Sequence, residues 1–283
     1  MKKVISASRR TDLVAFYPQW LAEVLTAEEA VVLLPGKKIK RKVNLSPDEV
    51  HTLVLWSKNF EPLLSNRFEL RNLIKKYAQV YFHFTITGLG GTFLERFAPS
   101  PEKALNQLPE LLEVAGQAER ISVRFDPIIF WYENEQVKSN WTFFPTLAQR
   151  ISSLGIETVR FSFTQWYRKA VKRAEKAKLK FYDPPLEEKK KIASELAEIA
   201  RAFHLRLWCC SQAEIAALPG ISPSACIDGQ LLSRIHPEHE LASPIKDKSQ
   251  RKDCLCTESI DIGSYAQSCP GACLYCYANP RLA

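Results

Sequence analysis

Ile121-Ser122-Val123-Arg124-Phe125-Asp126-Pro127-Ile128-Ile129 alternates apolar with polar side chains over its first six residues, and that alternation decides the fold. Successive side chains of a strand point to opposite faces, so Ile121, Val123 and Phe125 share one face and Ser122, Arg124 and Asp126 the other. The pattern recurs in Phe82, Phe84 and Ile86 against His83, Thr85 and Thr87, and in Val159, Phe161 and Phe163 against Arg160, Ser162 and Thr164. Working outward, strands are predicted at residues 4–8, 31–34, 53–58, 80–87, 121–129, 158–164 and 205–210. Helical patterns lie between them. Ser46-Pro47-Asp48-Glu49 reads as a capping box with Pro at the first helical position, and Ser100-Pro101 and Asp183-Pro184 read the same way. The latter two precede Leu105, Leu108, Leu112 and Ala115, then Ile192, Leu196, Ile199 and Phe203, all at helical spacing. Gly155 follows Leu154 as a helix stop. Alternating strands and helices imply parallel strands joined by crossover helices, whose cover demands an apolar outer face. The polar residues then point inward. The expected fold is α/β, a partial β/α barrel of parallel strands with a polar lumen able to hold a ligand. Strands at sheet edges with one solvated face are the alternative.

Composition narrows the function classes. At 283 residues the chain could be one α/β barrel, a common single-domain size, or two small domains, and 46% apolar side chains suffice for a large core. It has no run of eighteen apolar residues, so no spanning helix is expected and no membrane partner. Met1-Lys2-Lys3-Val4-Ile5-Ser6 has the charge of a signal peptide without its apolar middle, and a cytoplasmic location is expected. A net charge of +8 permits an anionic small molecule or a nucleic acid without demanding either. Gly36-Lys37-Lys38-Ile39-Lys40-Arg41-Lys42 gathers five cations without an aromatic, which favours a solvated loop over a phosphate contact. From about Pro237 the helical periodicity stops, dividing the chain into a barrel (1–240) and a cysteine-rich tail (241–283) that completes it.

Five of the eight cysteines fall in the last thirty residues: Cys254, Cys256, Cys269, Cys273 and Cys276. Thiolates are soft ligands, and reduced cysteines at this density point to an iron–sulfur or zinc centre rather than to packing. A zinc ribbon would need a second Cys-x-x-Cys half, which is missing. Three thiolates on a four-iron cluster leave one iron open to a small molecule.

The loop Cys269-Pro270-Gly271-Ala272-Cys273-Leu274-Tyr275-Cys276-Tyr277-Ala278, entered through Ser264-Tyr265-Ala266-Gln267-Ser268, resembles the cluster loop of the radical S-adenosylmethionine (SAM) superfamily. It is similar to that of spore photoproduct lyase. From Ile5-Ser6-Ala7-Ser8-Arg9-Arg10-Thr11-Asp12 to this tail, the chain resembles an uncharacterised bacterial family whose one functional clue is the C-terminal cysteine cluster. The resemblance implies a 4Fe-4S cluster on Cys269, Cys273 and Cys276, with S-adenosylmethionine on the open iron. It further implies an electron donor and reductive radical chemistry on an unknown small-molecule or nucleic-acid substrate. Tyr275 stands where the family places an aromatic near the adenine; packing the loop against the barrel is the equal alternative. In the superfamily the loop follows the first barrel strand, whereas here it ends the chain. Ser259-Ile260-Asp261-Ile262-Gly263-Ser264-Tyr265 alternates like a strand, so a circularly permuted barrel is expected, with this strand beside and parallel to residues 4–8. Arg9, Arg10 and Asp12 would then stand where a Gly-Gly-Glu motif normally meets the S-adenosylmethionine head group.

Ser8-Arg9-Arg10-Thr11-Asp12 follows the first strand, where barrels keep their functional loops, and its guanidiniums suit a carboxylate or phosphate. Arg10, Asp12, Arg124 and Asp126 are the catalytic candidates, and Ser8, Arg9 and Tyr275 the cofactor-binding ones. A surface ion-pair network is the alternative for the first loop, and mutual pairing for Arg124 and Asp126. His83 is a proton-transfer candidate or a satisfied interior histidine. Cys254 and Cys256, two apart, face one way in an extended segment and are candidates for a further metal ligand pair. Cys209, Cys210 and Cys226 default to buried thiols. Gly88-Leu89-Gly90-Gly91 fails the dinucleotide fingerprint, since Phe93 holds the place of its last glycine, and reads as a turn near a ligand backbone. Two other classes stay open: a non-catalytic or redox iron–sulfur or zinc protein, and a nucleic-acid-binding or repair protein.

Overall fold

A computed structural model of the chain describes residues 1–33, 39–264, 267–278 and 280–281. Its strands are β1 (Lys3–Ala7), β2 (Glu29–Leu33), β3 (Lys40–Asn44), β4 (Val50–Ser57), β5 (Val80–Thr85), β6 (Ile121–Ile128) and β7 (Phe130–Glu133). They continue with β8 (Gln136–Ser139), β9 (Thr158–Phe163), β10 (Phe181–Tyr182), β11 (Arg206–Cys209), β12 (Ile221–Pro223) and β13 (Ile260–Asp261). One eight-stranded sheet has the spatial order β12-β11-β9-β6-β5-β4-β1-β13. Every neighbouring pair in it is parallel. The chain is therefore a mixed α/β structure on a large parallel sheet, a partial β/α barrel. Spatial order follows sequence order except at one end, where the last strand flanks the first.

The two faces of the sheet separate as the alternation requires. Ile5, Leu53, Leu55, Phe82, Phe84, Val123, Phe125, Val159 and Phe161 have no solvent exposure and form the main core under the helices. Each such side chain contributes roughly 2–3 kcal/mol relative to exposure. On the opposite face Ser6, His83 and Ser122 are also wholly buried, and Arg160 nearly so. Trp56 donates its indole N–H to Ser6 Oγ (3.1 Å) and stacks on His83 at 4.0 Å. Arg160 donates to Tyr81 Oη (3.3 Å) and to Ser122 Oγ. This burial overturns the alternative of strands with a solvated face. The free edges of β12 and β13 are bridged by their flanking segments, where Thr257 N donates to Ile227 O (2.9 Å) and Gly229 N to Thr257 Oγ1 (3.0 Å).

Local expectations fail in two places, each for a physical reason. The strand expected at 31–34 forms as β2, outside the main sheet and paired antiparallel with β3. Ala30 and Val32 bury one face while Val31 and Leu33 stay exposed, as suits a ribbon laid over the barrel rather than a barrel strand. Ser46-Pro47-Asp48-Glu49 makes a single turn, with Glu49 N donating to Ser46 O (2.9 Å), and no helix. β4 begins at Val50 and all eight of its residues are buried, so the strand claims the chain before a helix can extend. Elsewhere Ser100 caps the helix Pro101–Asn106 by accepting from Lys103 N (3.3 Å). The helix after Asp183-Pro184 starts at Leu186, and Asp183 pairs instead with Lys189 (2.7 Å). Of the basic run, residues 36–38 lie outside the described residues, as does Leu34. Lys40, Arg41 and Lys42 are exposed on β3, and Lys42 pairs with Glu29 (3.0 Å).

Candidate active site at the strand C-termini

β13 is short because one carboxylate does the work of a longer strand. Asp261 accepts from Ser6 Oγ (3.1 Å), Ser8 Oγ (2.7 Å), Arg9 N (2.9 Å) and Gly263 N (2.9 Å). It thereby ties the turn after β13 to the turn after β1. Beyond it, Ile262 N donates to Ser6 O (3.0 Å) and its side chain is fully buried in the main core. Gly263 is obligatory here, since a Cβ would lie 1.9 Å from Ser8 Oγ and 2.5 Å from Ser8 Cβ. The expected strand ran on to Tyr265, which with Ala266 lies outside the described residues.

From Gly263 the chain passes into the cysteine loop, which lies across the C-terminal ends of β1, β4, β5 and β6. Tyr17 Oη donates to Ser268 O (2.6 Å) and Tyr277 Oη to Arg9 O (2.6 Å). Leu274 N donates to Leu94 O (3.1 Å). Cys273, Leu274 and Tyr275 are buried in one cluster with Leu89, Leu94, Ile129, Ala174 and Leu179. Beneath the loop sits a network that the sequence reading missed. Lys58, one residue past β4, donates to Glu95 Oε1 (2.9 Å) and Tyr275 Oη (3.2 Å). Glu95, only 1% exposed, also accepts from Thr87 Oγ1 (2.6 Å) and Tyr275 Oη. Burial works against the Lys58 ammonium, but Glu95 and then Cys273 outweigh it and its pKa is raised. Lys58 sits beside an ordinary Ser-Lys-Asn turn and Glu95 in a glycine-rich loop, so neither carried a signal. The Gly88–Gly91 turn approaches the cysteine loop itself.

The candidate residues fall into three groups. Ser8, Arg9, Arg10 and Asp12 lie at this same mouth. Asp12 is fully engaged, accepting from Ala15 N (3.0 Å), Lys58 N (2.8 Å) and Ser57 Oγ (2.8 Å). Burial raises its carboxyl to about 6 against these hydrogen bonds. Arg10 Nη1 donates to Gly263 O (3.0 Å), and the Arg9 guanidinium lies over the Trp56 ring at 5.6 Å. Arg124 and Asp126 pair with each other in the lumen, with Ser162 also donating to Asp126, and Arg124 covers Trp56 at 5.1 Å. Tyr275 is held by packing and by the Glu95–Lys58 pair.

Cys269 and Cys276 are half-buried and Cys273 buried. Burial pushes all three thiols up. Cys269 lies beside Thr11 and Asp12, and Cys276 within electrostatic reach of Arg173 and Lys58. The three sulfurs are not all within 4.8 Å of one another. Thiolates on one tetrahedral zinc stand about 3.8 Å apart, given a Zn–S bond of about 2.3 Å. As placed, the set is too open for one ion. Among the described residues, one group of potential ligands does converge within that distance: His236, Glu238 and Glu240. Glu240 is taken by Lys2 (2.7 Å) and the His236 ring packs on His51 at 4.4 Å.

A family model described as "Domain of unknown function (DUF1848)" matches residues 4–278, from the start of β1 to the end of the cysteine loop. The chain belongs to that family. The match takes in β13, so strand and loop are integral to the family's domain. No curated protein and no solved structure matches the chain.

Proposed function

We propose that the chain is a radical SAM-type iron–sulfur enzyme on a circularly permuted barrel, with its cluster on Cys269, Cys273 and Cys276. The observation that carries this is the parallel pairing of β13 with β1, Ile5 opposite Ile260 and Ser6 opposite Asp261. A C-terminal strand that enters the sheet beside β1 and leads straight into three cysteines reproduces, in permuted order, the strand-then-loop arrangement of that superfamily. The site's composition agrees: three thiols and no loop carboxylate among them, with Lys58 and Arg173 near enough to offset thiolate charge. When bound, such a cluster with S-adenosylmethionine supplies one-electron reductive cleavage and hydrogen-abstraction chemistry.

The protein's own residues have separate tasks. Asp261 and Gly263 set the loop against β1. Lys58, Glu95 and Tyr275 hold its centre down and keep water from its inner side. Asp12 fixes the start of the loop after β4. Arg10 lies next to Gly263 at the mouth, where a carboxylate-bearing ligand would meet a guanidinium. Below, Arg124 and Asp126 line the lumen that a substrate would enter.

The test is anaerobic reconstitution of the full chain with iron and sulfide, then reduction in the presence of S-adenosylmethionine. About four iron and four sulfide on the loop cysteines, with 5′-deoxyadenosine formed, is the expected result. An intact cluster that releases no 5′-deoxyadenosine would leave a redox iron–sulfur protein instead. Zinc without labile sulfide on these cysteines would sink both.

A further inference from the structure

Four more cysteines meet inside the barrel, from three separate stretches of sequence. Cys210 follows β11, Cys226 follows β12, and Cys254 and Cys256 come from the segment leading to β13. All four are buried: 8%, 6%, 5% and 2% exposed respectively. They share one cluster with Val4, Val54, Trp56 and Tyr81. Cys210 Sγ lies 3.7 Å from Cys226 Sγ. The Cys256 thiol interacts with those of both Cys226 and Cys254. Ile227 N donates to Cys256 Sγ (3.5 Å). Cys209, one residue before Cys210, faces the opposite way into the main core. Of the eight cysteines, three are in the loop, four are here, and Cys209 alone belongs to neither.

We propose that Cys210, Cys226, Cys254 and Cys256 hold a second metal centre, four thiolates around a core of charge +2, either a zinc ion or an iron–sulfur cluster. The Cys210–Cys226 separation matches the roughly 3.8 Å of thiolates on one tetrahedral ion and is far beyond the roughly 2.05 Å of a disulfide. The thiols form a chain, Cys210–Cys226–Cys256–Cys254, and no three of them are mutually within 4.8 Å. Closing them on one ion requires the outer pair to swing inward; a cluster requires neighbouring thiols to move apart.

Charge supplies the second, independent support. Three guanidiniums surround the thiols: Arg9 within electrostatic reach of Cys256, Cys226 and Cys254, Arg124 of Cys226 and Cys210, and Arg160 of Cys226. Each leaves a buried N–H without a partner, at Arg9 Nη2, Arg124 Nε and Arg160 Nε, and His83 leaves Nδ1. Asp126 neutralises Arg124. Among the described residues Arg160 hydrogen-bonds the neutral Tyr81 and Ser122 with Asp228 within electrostatic reach, and Arg9 has Asp247 at 3.9 Å. Three guanidiniums buried together are costly, and four neutral thiols add nothing to the partial cover that these carboxylates give. Four thiolates on a dication carry net charge −2, which answers these arginines. Formation releases the thiol protons to solvent as the metal enters.

The experiment removes the loop centre first, so that the two proposals fail separately. The full chain carrying Cys269→Ala, Cys273→Ala and Cys276→Ala is purified anaerobically without chelator, and its zinc, iron and labile sulfide are measured. About one zinc per chain, or iron with matching sulfide, is expected; adding Cys226→Ser and Cys256→Ser should bring the metal to background. Should those serines prevent folding, thiol alkylation read by mass spectrometry replaces them. Cys210, Cys226, Cys254 and Cys256 should then resist alkylation until a chelator strips the metal, and Cys209→Ser should leave the metal content unchanged. No metal in the triple variant after exposure to zinc and to iron with sulfide would overturn the proposal. So would metal retained in the five-fold variant, or a Cys210–Cys226 disulfide in the anaerobic protein.

Discussion

Asp261 shows how much one side chain carries when a strand is only two residues long. Two hydroxyls and two backbone N–H groups converge on its carboxylate, and removing it leaves all four donors short of a partner. Asp261→Ala should destabilise the protein by about 2–4 kcal/mol in a denaturant titration, and Asp261→Asn by less, since the amide oxygen still accepts. Equal losses for the two variants would mean that the hydrogen bonds contribute little. Lys58 poses the complementary case of a buried ion pair. Lys58→Met leaves Glu95 charged and nearly without solvent, at a cost of about 3–5 kcal/mol. Lys58→Met with Glu95→Leu should recover most of that loss, because no charge is then stranded. If the double variant is as unstable as the single, the pair is not coupled as its geometry implies.

At the scale of elements, legibility tracked length and alternation. The runs that became β1, β4, β5, β6, β9 and β11 were visible because each buries an unbroken apolar face against helices. β4 was seen from Leu53 onward, while its first turn of polar residues hid its start. His51 and Thr52 are buried because they bond each other (2.8 Å) while the His51 ring also meets Glu240 O (3.1 Å) and Thr52 accepts from Gln79 Nε2 (2.8 Å), a tertiary solution that no local pattern reveals. β7, β8 and β10 form a separate sheet of short strands and were missed, having too few residues to show a period. β13 was anticipated from Ile260 and Ile262 but at greater length; Asp261, which makes the short version stable, looked like an ordinary polar alternate. Within the site, the cysteines announced themselves, whereas Lys58, Glu95, Cys210 and Cys226 are joined only by the fold. Ile262 offers a check on the element itself. Ile262→Asp puts a charge into a fully buried position and should cost more than 3 kcal/mol, releasing β13 from β1. Limited proteolysis should then cut between residues 258 and 264 under conditions where the parent chain resists. An unchanged cleavage pattern would show that Asp261 alone retains the segment.

For the whole molecule, the decisive property is that β13 is last in sequence and first in spatial order. If the barrel is a permuted one, its native connectivity is dispensable and can be restored to the strand-first order. A gene for such a variant would begin near Leu241, which is 71% exposed in an irregular segment. It would run through β13 and the cysteine loop, then through a new linker into Lys2 and onward to Glu240. The linker must return from the C-terminal mouth to the start of β1. A parallel crossover needs a dozen or more residues, so about fifteen flexible ones should suffice. Opening the chain near Leu241 breaks few contacts, although Glu240 loses its place next to Lys2 only if the linker pulls that lysine away. The permuted protein should be soluble, show the parent's circular-dichroism spectrum, and take up the same iron and sulfide on reconstitution. A variant that folds but binds no metal would show that the cysteine loop depends on its present connectivity. Failure to fold at every linker length from about twelve to twenty-five would count against the permuted-barrel view, because strands that pair in this register should close equally well from either order.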